Sequence, residues 1–303
     1  MEPHDVLVIG GSFAGLSAAM QLARARRRVL IVDAGRPRNR FTHASQGFLG
    51  QDGRSPDAIL ETARSQVLAY PTASFSRDEA THAAPVGDGF QVALASGEAV
   101  RARRLVLAIG VIDDLPDIPG LRERWGRTVL HCPYCHGYET RDRRLGILAA
   151  GEASMHQALL LPDWSSDVTL FTNGAFEPSE EQHSSLVARG IRIEARLVSS
   201  LEGAGDSLAG VRVRGPGGEE LVTIDALFTA SRTRMASPLA EQLGCEFDDG
   251  PFGPVIRTDG KKATTVPGVY AAGDAAREPH NATFASADGV MAGISAHQSL
   301  ALG

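Results

Sequence analysis

Residues 5–15 read Asp5-Val6-Leu7-Val8-Ile9-Gly10-Gly11-Ser12-Phe13-Ala14-Gly15, an apolar run that ends in a glycine turn. A helical stretch, SAAMQLARAR (17–26), and a second apolar run, RVLIVD (28–33), follow directly. Strand, glycine turn, helix, strand and terminal acid make the βαβ unit of a dinucleotide-binding fold. Gly10 allows the tight turn, Ser12 stands where the Gly-x-Gly-x-x-Gly pattern has its second glycine, and Gly15 lets the helix pack closely on the strand. The helix N-terminus then offers its N–H groups to a pyrophosphate. Asp33, 18 residues past Gly15, is placed to accept ribose hydroxyls.

Beyond this unit, strands return at FQVALASG (90–97) and AVRARRLVLAIG (99–110), the latter closing on Gly110. Asp113-Asp114-Leu115-Pro116 reads as a crossover between domains. Residues 145–148 and 168–172 read as strands flanking a helix at 155–161, a second βαβ unit. Near the C-terminus, Val266–Asp274 is another buried strand closing on Gly273-Asp274, followed by an amphipathic helix over 285–300. A first domain that resumes after the second implies insertion. The expected fold is α/β, with two Rossmann-like dinucleotide-binding domains. Residues 1–114 and 240–303 form the first, enclosing 115–239. No tandem repeat or low-complexity tract interrupts this pattern.

Composition narrows the function. Among 303 residues, 43% are hydrophobic and 22% charged, a globular profile. The net charge of −6 is spread without basic clusters, which argues against nucleic acid as a partner. No apolar run reaches the length of a membrane-spanning helix. The N-terminal MEPHDVLVIGG is acidic and already strand-like, so no secretory signal and a cytoplasmic location are expected. Three cysteines cannot make a disulfide scaffold, and no second Cys pair completes a zinc site around Cys132 and Cys135. The Cys-x-x-Cys pair reads as a redox dithiol, and Cys245 as a packing residue. No metal is expected.

The order of glycine turn, apolar strand ending in Gly110, Cys-x-x-Cys, second βαβ unit and Val-Tyr-Ala-Ala-Gly-Asp (269–274) is similar to the low-molecular-weight thioredoxin reductases, over essentially the whole chain. The resemblance implies FAD contacts from Gly10, Ser12, Ala14, Gly15, Asp33, Gly110, Gly273 and Asp274. It also implies that Ala287, at the start of the last helix, lies beside the flavin ring, where the helix dipole favours negative charge. In this family Cys135 would contact the flavin and Cys132 would exchange with substrate, a helix start lowering the thiolate pKa. A homodimer is expected on the same ground.

Departures from the family pattern point further. Where a reductase carries an Asp after the second cysteine, this chain has His136, and His131 precedes Cys132. Imidazole can take a thiol proton near neutral pH, and His136 is preferred as the base. The second nucleotide turn reads Ala149-Ala150-Gly151-Glu152-Ala153-Ser154, with Ala149 in place of the first glycine. Thr172-Asn173-Gly174 stand where NADPH enzymes carry His-Arg-Arg, so NADPH binding is not expected. His280-Asn281 replace a common Arg-Gln near the flavin. Together with Cys-Pro-x-Cys-His-Gly-Tyr-Glu (132–139), this resembles the dithiol oxidases that close disulfides in natural products such as gliotoxin and holomycin. The resemblance implies a small-molecule dithiol as substrate, molecular oxygen as acceptor and hydrogen peroxide as product. The alternatives are a reductase drawing on NAD(P)H, ferredoxin or another donor to reduce thioredoxin or a small disulfide, and a silent flavoprotein that binds a ligand.

Overall fold

A near-continuous apolar strand is stable only when covered on both faces, and β1 (His4–Ile9) is buried along its last four residues. The computed structural model describes residues 3–303. β1 pairs in parallel with β2 (Val29–Val32), and α1 (Phe13–Arg24) makes the crossover. α2 (Pro56–Leu68) follows, with Pro56 at its first position and the Ser55 side chain accepting from the Ala58 N–H. It leads to β3 (Ala73–Ser76), parallel to β2. β4 (Ala80–Val86) and β5 (Gly89–Leu94) form an antiparallel hairpin that continues into β6 (Ala99–Leu107). The first half of β6 pairs with β5, and its second half lies parallel to β1.

The chain leaves this unit along β7 (Val111–Asp114). Five parallel strands then form one sheet: β8 (Val129–Leu130), β9 (Leu145–Leu148), β10 (Val168–Phe171), β11 (Arg192–Glu194) and β15 (Ala226–Thr229), in the order β11-β10-β9-β15-β8. One face packs Ile147, Leu170 and Phe228 against α4 (Ser154–Leu160) and α5 (Glu180–Ala188). The other packs Leu148, Phe171 and Leu227 against an antiparallel meander of β12 (Leu197–Glu202), β13 (Gly210–Gly215) and β14 (Gly218–Thr223). A single turn, α3 (Pro133–His136), follows β8.

The chain re-enters the first unit along β16 (Arg232–Met235) and passes through α6 (Leu239–Gln242), β17 (Phe247–Asp249) and β18 (Pro254–Ile256). β19 (Val269–Ala271) then adds to β6 opposite Leu105–Leu107. α7 (Ala282–Ala301) ends the fold. It begins at 282 rather than 285, because the Asn281 side chain accepts from the Thr283 and Phe284 N–H groups and caps it there. Its inner face is made of small residues, not the large apolar stripe of an amphipathic helix. A Cβ on Gly289 would stand 2.0 Å from the Ala14 carbonyl oxygen, and one on Gly293 2.5 Å from that of Ala18. α7 therefore meets α1 backbone to backbone.

The compact units depart from the expected domain boundaries. The first holds the chain to Arg40, then Ser55–Ile112 and Thr233–Gly303; the second holds Phe41–Arg54 and Asp113–Arg232. Residues 41–54, expected in the first domain, belong to the second. Phe41 covers Gly126, whose Cβ would lie 2.6 Å from the Phe41 Cβ, and Thr42 bonds to His136. The return falls at 233 rather than 240, since the Ala236 N–H donates to the Gly110 carbonyl (3.2 Å) and the Thr233 N–H to that of Phe252 (2.6 Å). The outward boundary falls at 112 rather than 114, with Ser231 donating to Asp113 (2.7 Å) in the second unit.

Candidate active site

The first unit builds a cradle from backbone that has no room for side chains. A Cβ on Gly10 (φ +103°) would lie 2.1 Å from the Ala108 carbonyl oxygen, and one on Gly15 1.8 Å from that of Gly10. Both positions therefore demand glycine. Ser12 begins α1 in an extended conformation without a side-chain cap, and no acidic residue sits in the first turn. That leaves a helix end suited to an anion. Asp33 accepts from the Gly11 N–H (3.0 Å), which ties the end of β2 to the turn. Gly110 (φ +67°) faces open space where a Cβ would stand. Gly273 (φ +77°) comes in from β19, and its Cβ would lie 2.9 Å from that of Ala14. The two glycine motifs, about 260 residues apart in sequence, thus converge on one helix start.

A flavin dinucleotide fits this arrangement: a glycine turn at a helix end for the pyrophosphate, and an acid at the end of β2. Asp274 accepts from Arg38 Nη1 (3.1 Å), which also meets His280 Nδ1 at 2.6 Å. Guanidinium donates only, so His280 Nδ1 accepts and its ring proton resides on Nε2. Arg38 is a site residue that the sequence pattern did not mark. The placement of Ala287 at the start of the last helix requires a correction. The residue is exposed, but it is the sixth residue of α7, so its N–H lies inside the helical ladder. The dipole end is at Asn281–Ala282, where the asparagine cap sets it.

The second unit holds the dithiol. Cys132 starts α3 in an extended conformation, Pro133 supplies the first helical residue, and the Cys135 and His136 N–H groups donate to the Cys132 carbonyl (3.1 and 3.2 Å). The two Sγ atoms are 2.6 Å apart. α3 is one turn long, so its dipole is that of only a few peptides. Two contacts from outside the motif fix it. Gln157 Nε2 on α4 donates to the His131 carbonyl (2.7 Å), and Tyr134 stands edge-on to Trp164 with ring centroids 5.6 Å apart. Gly137 fits because a Cβ would fall 2.6 Å from the Pro133 carbonyl oxygen.

His131 and His136 differ in setting. His131 is held by its backbone to α4. His136 presents its ring to Thr42, with Nε2 3.5 Å from Oγ1, and its Nδ1 is buried without a hydrogen-bond partner. Burial holds the His136 pKa below its ordinary value, while the Glu139 charge and the Cys132 carbonyl pull the other way. A neutral imidazole next to a dithiol is a competent proton acceptor. Thr42 and Gln157 were not legible in the sequence, being 94 and 26 residues from the groups they bond.

In the second nucleotide turn a side chain of the turn itself meets one backbone donor. Ala149 is buried in the sheet core, and the Ala150 N–H donates to Ser154 Oγ (3.0 Å). Glu152 accepts from Gln182 (2.7 Å). Beyond β10, Asn173 Oδ1 accepts from the Val198 N–H (2.8 Å). The nearby Arg196 is engaged by Glu194 (2.6 Å) and Glu220 (2.8 Å). Cys245 is buried with its Sγ 3.6 Å from Thr264 Oγ1, and burial pushes its thiol pKa up. Among the described residues no cluster of three or more His, Cys, Asp or Glu could hold a metal, and no helix is long and apolar enough to cross a membrane.

Residues 4–289 match the family model of the pyridine nucleotide-disulphide oxidoreductases. Thioredoxin reductase tcpT of Claviceps purpurea is 35% identical, over 95% of this chain and 92% of its own length. The crystal structure of an oxidoreductase from Agrobacterium tumefaciens aligns with a TM-score of 0.93 at 45% identity, covering 99% of both chains. That of HlmI aligns with a TM-score of 0.91 at 40% identity, covering 99% of this chain and 93% of HlmI. With its flavin-type cradle and its Cys-x-x-Cys pair, the chain belongs to the pyridine nucleotide-disulphide oxidoreductase family, as an FAD-dependent, thioredoxin reductase-like oxidoreductase.

Proposed function

We propose that this protein oxidises a small-molecule dithiol to its cyclic disulfide, with molecular oxygen as the terminal acceptor and hydrogen peroxide as the second product. The observation that carries the reading is the contrast between a glycine-built FAD-type turn and a second nucleotide turn that spends the Ala150 N–H on Ser154, with the nearby Arg196 engaged by Glu194 and Glu220. A dithiol with no nicotinamide site beside it takes its electrons from substrate thiols rather than giving them.

Gly10, Ser12, Ala14, Gly15, Asp33, Gly110, Gly273 and Asp274 would hold FAD. When bound, FAD supplies the two-electron acceptor that returns the cysteine pair to its disulfide and passes the electrons to oxygen. The protein's own steps are thiol exchange. A substrate thiolate forms a bond to Cys132 Sγ as the Cys132–Cys135 bond breaks, and Cys135 leaves as thiolate. His136 accepts the proton of the second substrate thiol. That sulfur then bonds to the first, releasing Cys132 and the cyclic product. The overall balance is one dithiol plus O2 to one disulfide plus H2O2.

The test is to mix the purified yellow protein anaerobically with NADPH, NADH and dithiothreitol in turn, following the visible flavin band. Bleaching by the dithiol alone, with peroxide formed on admitting air, is the expected result. Rapid bleaching by NADPH returns the protein to the reductases. Cys135→Ser is expected to keep the bound flavin and to lower dithiol turnover by at least about 10³-fold.

A further inference from the structure

Thr42 enters the dithiol unit on the 41–54 segment, and the reaction as written above makes no use of it. Its Oγ1 is 3.0 Å from the Ala44 carbonyl oxygen and 3.5 Å from His136 Nε2. A hydroxyl has one proton to give, and a carbonyl can only accept, so that proton goes to Ala44. Toward the imidazole, Thr42 then offers a lone pair, and Nε2 must carry the ring hydrogen. Nδ1 is left as the lone-pair nitrogen. It is buried and has no hydrogen-bond partner in the resting structure, and the Cys132 carbonyl favours the ring once it is protonated.

We propose that Thr42 is a positioning residue that fixes the Nε2–H tautomer of His136 and thereby makes Nδ1 the atom that takes the substrate thiol proton. The inference rests on the dithiol chemistry proposed above. In the transfer, the S–H bond breaks, the Nδ1–H bond forms, and the electron pair stays on sulfur as thiolate. The resulting imidazolium is favoured by the Glu139 charge and the Cys132 carbonyl, while Thr42 keeps its acceptor on the Nε2 side. A base with a fixed tautomer needs no ring flip between cycles. The logic is that of any imidazole whose reactive nitrogen is chosen by the bond made at the other.

The experiment uses the FAD-loaded protein labelled with 15N-histidine, with His136→Gln identifying the relevant signal among the nine histidines. Wild type is expected to give the Nε2–H tautomer at His136. Thr42→Val is expected to mix the two tautomers and to lower kcat for dithiothreitol about 10-fold with KM little changed, and Thr42→Ser to restore both. An Nδ1–H signal in wild type overturns the proposal, as does a Thr42→Val protein with unchanged tautomer and turnover. If Thr42→Val loses its flavin, the wild-type and Thr42→Ser tautomers decide the matter. Should wild type fail to oxidise dithiothreitol, the dithiol reading falls, and the tautomer signal still tests the Thr42 contact on its own.

Discussion

The turn at Gly10–Gly15 and the turn at Ala149–Ser154 hold the same place in their units, each joining a central parallel strand to the helix after it. Both helices lack a side-chain cap. In the first turn the Gly11 N–H is bonded from a distance, by Asp33 at the end of the neighbouring strand, which keeps the acid at the edge where a ribose would lie. In the second, the Ala150 N–H is bonded locally by Ser154, and the residue after the neighbouring strand, Asn173, is committed to Val198. The first turn brings backbone against backbone, and its bonded donor is met by an acid from the neighbouring strand. The second turn meets the Ala150 donor with a side chain of its own.

Alanine at the two turns separates these cases most sharply. Gly15→Ala sets a Cβ 1.8 Å from the Gly10 carbonyl oxygen, which nothing nearby can relieve. The cost is about 4 kcal/mol or more, the range reached only by severe steric mechanisms, and the protein should be recovered without flavin. Gly151→Ala meets nothing within 4 Å, and only its φ of +151° opposes the change. It should cost about 1–3 kcal/mol and leave the flavin bound. The ratio of flavin to protein absorbance, with thermal unfolding, checks both. Equal flavin loss in the two variants would erase the distinction between the turns.

Rebuilding the second turn sharpens the comparison at smaller effect. Asn173→Arg alone adds the missing cation but strands the Val198 N–H, costing about 1 kcal/mol of stability. Ala149→Gly with Ser154→Ala frees the turn without supplying charge. The triple variant Ala149→Gly, Ser154→Ala, Asn173→Arg should bind NADPH roughly 10- to 100-fold more tightly than wild type, the worth of one charge-assisted contact. Calorimetric titration reads this directly. Tight binding by wild type would mean that the internal bonds of this turn open at no cost.

The first βαβ unit, the insertion and the cysteine pair were open to sequence reading because each rests on local pattern: apolar runs, glycines at fixed spacing, two cysteines three apart. The start of the last helix was placed three residues late although a local signal was present, since Asn281 is a strong N-cap and α7 starts just after it. The meander of β12–β14 was not read, because strands such as GEELVT are largely exposed and carry no apolar alternation. The allegiance of residues 41–54 was beyond local reading. Phe41 and Thr42 join the second unit through Gly126 and His136, and neither contact leaves a trace in spacing. The half of the site that acts on thiols was thus visible by its nucleophiles and not by what orients them.

The smallest effect expected is in pH dependence, and it distinguishes the units by one partly buried histidine in each. His4 in the first unit is held below its ordinary value of 6.5 by burial and by the nearby Arg28, with Asp5 opposing. His136 in the second is held below 6.5 mainly by burial. A lowered folded-state pKa means that the unfolded chain binds the proton first as pH falls. Both sites therefore leave stability intact above pH 6.5 and erode it as pH drops below that value toward the folded pKa. Of the two, only His136 lies on the dithiol turn, so only its titration should appear in turnover. The acid limb of kcat for dithiothreitol should lie below the ordinary imidazole value, because the neutral base persists to lower pH. In His136→Gln that limb should vanish along with most of the rate, while amide exchange around β1 keeps the acid sensitivity contributed by His4. A limb at or above 6.5 in wild type would mean that the Glu139 charge outweighs burial at His136.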